Sequence, residues 1–173
     1  MNTANIIIVD DDDNIICHKQ RGKITHSDIY RVSALWIQNS KGDILLAKRA
    51  YTKKHRPGKW GPAVAGTNDK GETYRSNIIK EAEEEIGLTG HNFKEFHNVR
   101  FKGKHNFFCQ WYFAVVNKKL TDFKLQEEEV AEIRWFKKDE LIIELKNNPD
   151  GLLYSVKYFI NSEHILENIK ENI

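Results

Sequence analysis

The 173 residues suffice for one domain with a short appendage, and 40% apolar with 30% charged residues exclude a disordered chain. Twenty-seven Lys and Arg against 25 Asp and Glu leave a net charge of only +2, which argues against a dedicated nucleic-acid binder. Two cysteines, Cys17 and Cys109, form no CxxC pair; they point to a reducing cytoplasm rather than a disulfide framework. No apolar run approaches the roughly 20 residues of a membrane span. Ile6–Val9 stops too soon, at Asp10–Asp13, to be a signal peptide.

In chain order, Ile6–Val9 and Ile15–Cys17 read as a hairpin closed by the acidic turn Asp10–Asn14. Residues 19–28 are polar and are expected to form a loop. A long strand is expected over Tyr30–Gln38. Asn39-Ser40-Lys41-Gly42 has turn composition, and Asp43–Arg49 is the return strand. Residues 50–65, punctuated by Pro57-Gly58 and Gly61-Pro62, read as irregular. A helix is expected over 73–86, stopped by Gly87 at the C′ position. Two further strands fall near 93–101 and 107–116, and a last one at Ala131–Phe136. Asp139–Leu145 opens a helical tail in which Leu152, Leu153, Val156, Phe159 and Ile160 keep helical spacing. The expected organisation is an N-terminal hairpin extension (1–28), a central domain (29–146) and a helical tail packed on it (147–173). The fold class is α/β, a sheet covered by helices on both faces. Both cysteines lie on expected strands and read as small core residues. The seven histidines show no HxH or HExxH spacing.

The informative segment is Gly66–Leu88. At about 100° per residue, Ile78, Ile79, Ala82 and Ile86 share one arc, the expected buried stripe. Glu81, Glu84 and Glu85 share a neighbouring arc, so three carboxylates project side by side. Like charges at this spacing destabilise a helix, and a divalent cation reverses the sign of that term. Taken alone, an acidic run on a helix reads more often as a solvated face, with Lys80 pairing with Glu84. The flanks decide between the two. Gly66, Glu72, Lys80, Glu81, Ala82, Glu84, Glu85, Gly87 and Leu88 form one spaced pattern, whose chance occurrence is below about one in a million per chain.

That pattern resembles the Nudix box, GX5EX7REUXEEXGU with U aliphatic. Gly66, Glu72, Glu81, Glu84, Glu85, Gly87 and Leu88 match it, and Ala82 fills the first U. Lys80 departs from it, standing where the family has Arg. The resemblance implies a Nudix α/β/α sandwich with a mixed sheet. It also implies Mg²⁺-dependent hydrolysis (Mn²⁺ as a substitute) of a diphosphate linkage in a nucleoside diphosphate joined to another group, or in a similar small organic diphosphate. Glu81, Glu84, Glu85 and the Gly66 carbonyl would then be metal ligands, with Glu72 supporting the loop–helix geometry. Lys80, about 40° from Glu84 on the helix, would hold carboxylates from behind.

A basic strip precedes the box. Lys48–Lys59 holds six Lys and Arg and no acid, net +6, whereas 66–88 holds six acids against three bases, net −3. One side suits phosphate and the other metal. Arg49 and Lys59 are the candidate phosphate contacts. Trp60 reads as a core tryptophan ahead of a base-stacking one. Glu128, in the run Glu127–Glu129, matches a late region where the family places an extra carboxylate. Residues 30–66 also resemble a branch related to type 1 isopentenyl-diphosphate isomerase, through RAYTKKHRPGKWGPAVAG. That enzyme's catalytic cysteine is missing from 61–66, and Tyr30 and Thr67 stand where its histidine ligands fall. Hydrolysis is therefore the primary expectation. An isomerase-like enzyme and a non-catalytic Nudix ligand-binding module are the alternatives. The expected partner is a small-molecule diphosphate, not nucleic acid or membrane, and the expected state is a cytoplasmic monomer or homodimer.

Overall fold

A computed structural model describes residues 4–103 and 105–161; the C-terminal part of the expected tail, 162–173, lies outside the described residues. The described residues form nine strands and three α-helices, an α/β fold of the expected class. They divide into two compact units, neither continuous in sequence. The first takes residues up to Trp36 together with Val64–Ala114; the second takes Ile37–Ala63 and the residues from Val115 onward.

In the first unit, β1 (Asn5–Val9) and β2 (Ile15–Gln20) pair antiparallel. The Asp10 carboxylate closes their turn by accepting the Asp12 and Asn14 amides at 3.0 and 2.9 Å. β1 also pairs with β3 (Ile29–Gln38), Ile8 opposite Tyr30. β2 extends to Gln20, so Lys19 and Gln20 are strand and not loop. It is an edge strand with no fully buried residue, so Cys17 is exposed and not a core side chain. Cys109, on β8 (Asn106–Val115), is buried as expected, and burial raises its thiol pKa. β7 (Lys94–Phe101) pairs antiparallel with β8, and β8 also pairs with β3. Trp36 and Trp111 meet edge to face at 6.4 Å in this core.

In the second unit, β4 (Ile44–Arg49) pairs with the end of β3, with β5 (Trp60–Pro62) and with β9 (Val130–Phe136). The stretch 50–65 was expected to be irregular, yet it contains β5 and, in the first unit, the start of β6 (Val64–Thr67). Their Gly and Pro content reads as punctuation. Pro62 is tolerated because β5 is an edge strand, where a missing N–H costs no ladder bond. Trp60 is buried as expected and meets Phe136 edge to face at 5.0 Å. α2 (Lys138–Asn147) and α3 (Tyr154–Asn161) form the tail. Val156, Phe159 and Ile160 bury on α3, whereas Leu152 and Leu153 precede that helix, with Leu152 bridged to Trp60.

Candidate active site

The box spans β6, a loop and α1 (Tyr74–Ile86), all within the first unit. Thr73 caps α1, its hydroxyl and that of Ser76 exchanging bonds with each other's backbone. Gly87 ends the helix at φ 64°, and its N–H returns to Ala82 and Glu83. The helix presents to the core Asn77, Ile78, Ala82 and Ile86, while Ile79 is 46% exposed. Ile79 is therefore not part of the buried stripe. At about 100° per residue, Asn77, Glu81, Glu85, Ile78, Ala82 and Ile86 fill one continuous half of the helix, with Ile79 just beyond its rim. The helix is rolled towards its carboxylates: Glu81 and Glu85 are half-buried on the inward face, and Glu83 and Glu84 are exposed.

Both inward carboxylates face β6. Glu85 accepts the Ala65 amide at 3.3 Å. Glu81 lies so close to Gly66 that a Cβ there would collide with its Cγ and Cδ, which explains the glycine at the head of the box without any need for positive φ. Glu81 also accepts Asn77 Nδ2 at 3.3 Å. Burial raises its pKa; the neighbouring Lys80 opposes this, and Glu84 and Glu72 add to it.

Glu72 ties the loop to the helix. It accepts the Asp69 amide at 2.8 Å, Asn77 Nδ2 at 2.9 Å and Lys80 Nζ at 2.6 Å. Burial alone would raise its pKa, but these donors outweigh it and hold the carboxyl below its ordinary value. Lys80 also lies 3.5 Å from Glu81 Oε1. The ammonium thus turns to Glu72 and Glu81, not to Glu84. Burial lowers the proton affinity of Lys80, yet its acidic partners carry it above its ordinary value.

The N-terminal hairpin is stitched to the same loop. Ile7 N–H donates to the Asn68 carbonyl at 3.2 Å, and Lys70 N–H to the Asn5 carbonyl at 2.6 Å. Arg21 lies 3.8 Å from Asp69. At the hairpin tip, Asp13 accepts Arg31 Nε at 2.8 Å and the Tyr74 hydroxyl at 2.9 Å. Residues 4–31 therefore brace the box loop and the first residue of its helix. Sequence reasoning also missed Asn77, which bonds both Glu72 and Glu81 and leaves its own Oδ1 buried without a partner among the described residues. The available signal was a poor helix former just past the helix cap, one turn before Glu81.

Two tests bear on a divalent cation. Among the described residues, no three Asp, Glu, His or Cys side chains already converge at coordinating distance. The donor chemistry nevertheless fits a hard cation: oxygen ligands on one rigid face, a glycine keeping backbone clear beside Glu81, and a buried acceptor left over on Asn77.

The remaining candidates belong to the second unit. The Arg49 guanidinium donates Nε to the His55 carbonyl at 3.2 Å. Lys59 is half-buried, and its carbonyl accepts the Arg49 amide at 3.0 Å. Glu128 is exposed, while its neighbour Glu129 pairs with Lys53 at 2.5 Å.

An α/β fold carrying a loop–helix whose two inward glutamates face a glycine-bearing strand defines a recognisable class, and the comparisons agree. The Nudix domain model matches residues 29–156. An uncharacterised Nudix hydrolase of Listeria innocua is 31% identical over 154 residues, covering 87% of this chain and 86% of that one. The uncharacterised Nudix hydrolase YfcD of Escherichia coli K12 is 27% identical over 152 residues, 87% and 83% of the two chains. Among solved structures, DR0079 of Deinococcus radiodurans superposes with a TM-score of 0.78 at 16% identity, over 91% of this chain and 97% of that one. A MutT protein of Methanosarcina mazei gives 0.63 at 21%, over 83% and 94%. The chain belongs to the Nudix family. Among its described residues, no helix is long and apolar enough to cross a membrane.

Proposed function

We propose that the protein is a divalent-cation-dependent pyrophosphohydrolase that splits a diphosphate linkage in a small organic diphosphate, such as a nucleoside diphosphate joined to a second group. One observation carries this reading: Glu81 and Glu85 are turned inward against Gly66 and Ala65, where a merely solvating acidic face would point outward. Glu81, Glu84 and Glu85 would hold Mg²⁺ or Mn²⁺, with the Gly66 carbonyl as a further oxygen. When bound, the cation supplies charge neutralisation at phosphoryl oxygens and acidification of water. The chain's own residues set the frame for it. Glu72, kept ionised by Lys80, the Asp69 amide and Asn77, locks the loop onto the helix. Lys80 also lies against Glu81, so one cation orients two carboxylates. The reaction consumes one water: a new P–O bond forms at the attacked phosphorus, the bridging P–O bond breaks, and two phosphorylated products leave.

The experiment is a panel of nucleoside diphosphate sugars, dinucleoside polyphosphates, nucleoside triphosphates and prenyl diphosphates, incubated with Mg²⁺ or with EDTA. Turnover of at least one compound is expected, dependent on the cation and lost in Glu81→Gln. Turnover that persists in EDTA or in Glu81→Gln would overturn the assignment.

A further inference from the structure

The six cations of the strip before the box are not used alike. Lys48 pairs with Glu132 at 3.2 Å and sits 5.0 Å above the Trp60 ring. Lys53 pairs with Glu129, and Arg49 donates to the His55 carbonyl. These three are tied into their own unit. Arg56 and Lys59 have no ion pair or side-chain hydrogen bond among the described residues. Both line a cavity of about 210 Å³, together with Leu152, Leu153, Tyr154 and Lys157. Lys157, from α3, is likewise without an ion pair among the described residues, and among those residues no acidic side chain lines the cavity. All six residues belong to the second unit.

The cavity is a built feature. Its floor is fixed where Leu153 N–H donates to the Trp60 carbonyl at 2.8 Å and Leu152 bridges to Trp60. A Cβ on Gly61 would come within 2.9 Å of Leu153 Cδ1, so the glycine seats that side chain. Arg56 holds φ at 53° although it is not glycine and precedes Pro57. Such backbone is uncommon for a long side chain and is further disfavoured before proline. Three cations around one hollow repel each other, and a multiply charged anion converts that repulsion into charge-assisted hydrogen bonds.

Size and lining narrow the ligand. About 210 Å³ is below the roughly 300–1,000 Å³ of sites that enclose a drug-sized ligand. It has room for a phosphate or diphosphate group. Tyr154, 60% exposed, and Leu153 offer apolar surface to whatever organic group the phosphate carries.

We propose that Arg56, Lys59 and Lys157 form a cation-independent binding site for the terminal phosphate or diphosphate group of an organophosphate. The chemistry is the same whether that compound is the hydrolysed substrate, its product or a separate effector. The site does not require the box helix to hydrolyse anything, so the two proposals fail separately.

The probe is inorganic pyrophosphate, titrated calorimetrically into the full chain in EDTA. Saturable binding in the millimolar range or tighter is expected, weakening as salt rises. Arg56→Glu with Lys157→Glu should weaken it by at least about 30-fold. Lys157→Arg should hold it within about threefold, and Glu81→Gln should leave it unchanged. A thermal melt of each variant confirms folding, since all these side chains are at least partly exposed. Absence of saturable binding up to about 10 mM, or binding indifferent to the double charge reversal, would overturn the proposal. With a hydrolysed substrate in hand, a raised KM at unchanged kcat in the double variant marks the cavity as the substrate's phosphate grip. A changed response to added pyrophosphate at unchanged KM marks an effector site.

Discussion

The acidic helix and the basic strip are both dense runs of one charge, close in sequence, and they behave differently. On α1 the helical repeat turns spacing into direction: at about 100° per residue, residues 77, 81 and 85 fall within one arc of about 80° and their side chains share a face. Packing against β6 then decides which way that face turns. Glu81 and Glu85 face β6, and Glu83 and Glu84 face solvent. In the strip no repeat operates between Arg49 and Trp60. Lys48 is still on β4 and meets Glu132 as its cross-strand neighbour on β9, whereas the turn that follows brings Glu129 to Lys53 and the His55 carbonyl to Arg49. A regular element encodes its site in spacing; a loop encodes it in turn geometry and distant partners.

If that contrast is right, the largest effects belong to the helix. Glu81→Gln and Glu85→Gln should each lower cation-dependent turnover by at least about 100-fold, because a neutral amide cannot replace an anionic oxygen ligand. Thermal stability without metal should hold or rise slightly, as one of several clustered like charges is removed. Turnover near the wild-type rate in either variant would show that the inward face is structural. Gly66→Ala should follow, with activity falling about 10–100-fold, since the new methyl group displaces the Glu81 side chain while its charge is kept. An unaffected kcat/KM would mean that the exact placement of Glu81 is immaterial.

Glu72→Gln probes stability and its pH dependence. The Glu72 carboxyl is held below its ordinary value in the folded state, so its stabilising effect is present above the unfolded carboxylate pKa of about 4.3 and fades as pH falls through the depressed value. The variant should be less stable at pH 7 by about 1–3 kcal/mol, with the gap to the wild type closing below about pH 4. Melts at pH 7 and pH 3 measure this; a gap independent of pH would remove Glu72 from the ion pair. Lys80→Arg should produce the smallest change, activity preserved or raised, because a planar fork can serve Glu72 and Glu81 together. A loss beyond about tenfold would show that the pocket around the ammonium is fitted to lysine.

What could be read from the sequence follows the same physics. The helix and its stop at Gly87 were legible, since a fixed pitch and one glycine determine them. The roll of the helix was not. Hydrophobicity alone placed Ile79 inside and the glutamates at the rim, whereas packing against Ala65 and Gly66 turned Glu81 and Glu85 inward and Ile79 outward. The strands β5 and β6 were hidden because three- and four-residue segments rich in Gly, Pro and Ala look like turns until β4 and β3 pair with them. Cys17 looked like a core residue because strand propensity does not tell an edge from a centre. The pairing of β1 with the box loop depends on contacts about 60 residues apart in sequence, Ile7 with Asn68, which no local pattern records.

The inward glutamates are the proposed cation site. Titration of Mn²⁺ into the wild type, Glu81→Gln and Glu85→Gln, followed by electron paramagnetic resonance without any substrate, tests it most directly. The account predicts saturable binding in the wild type, weakened at least about 100-fold in both variants. Equal Mn²⁺ affinity in all three proteins would contradict it.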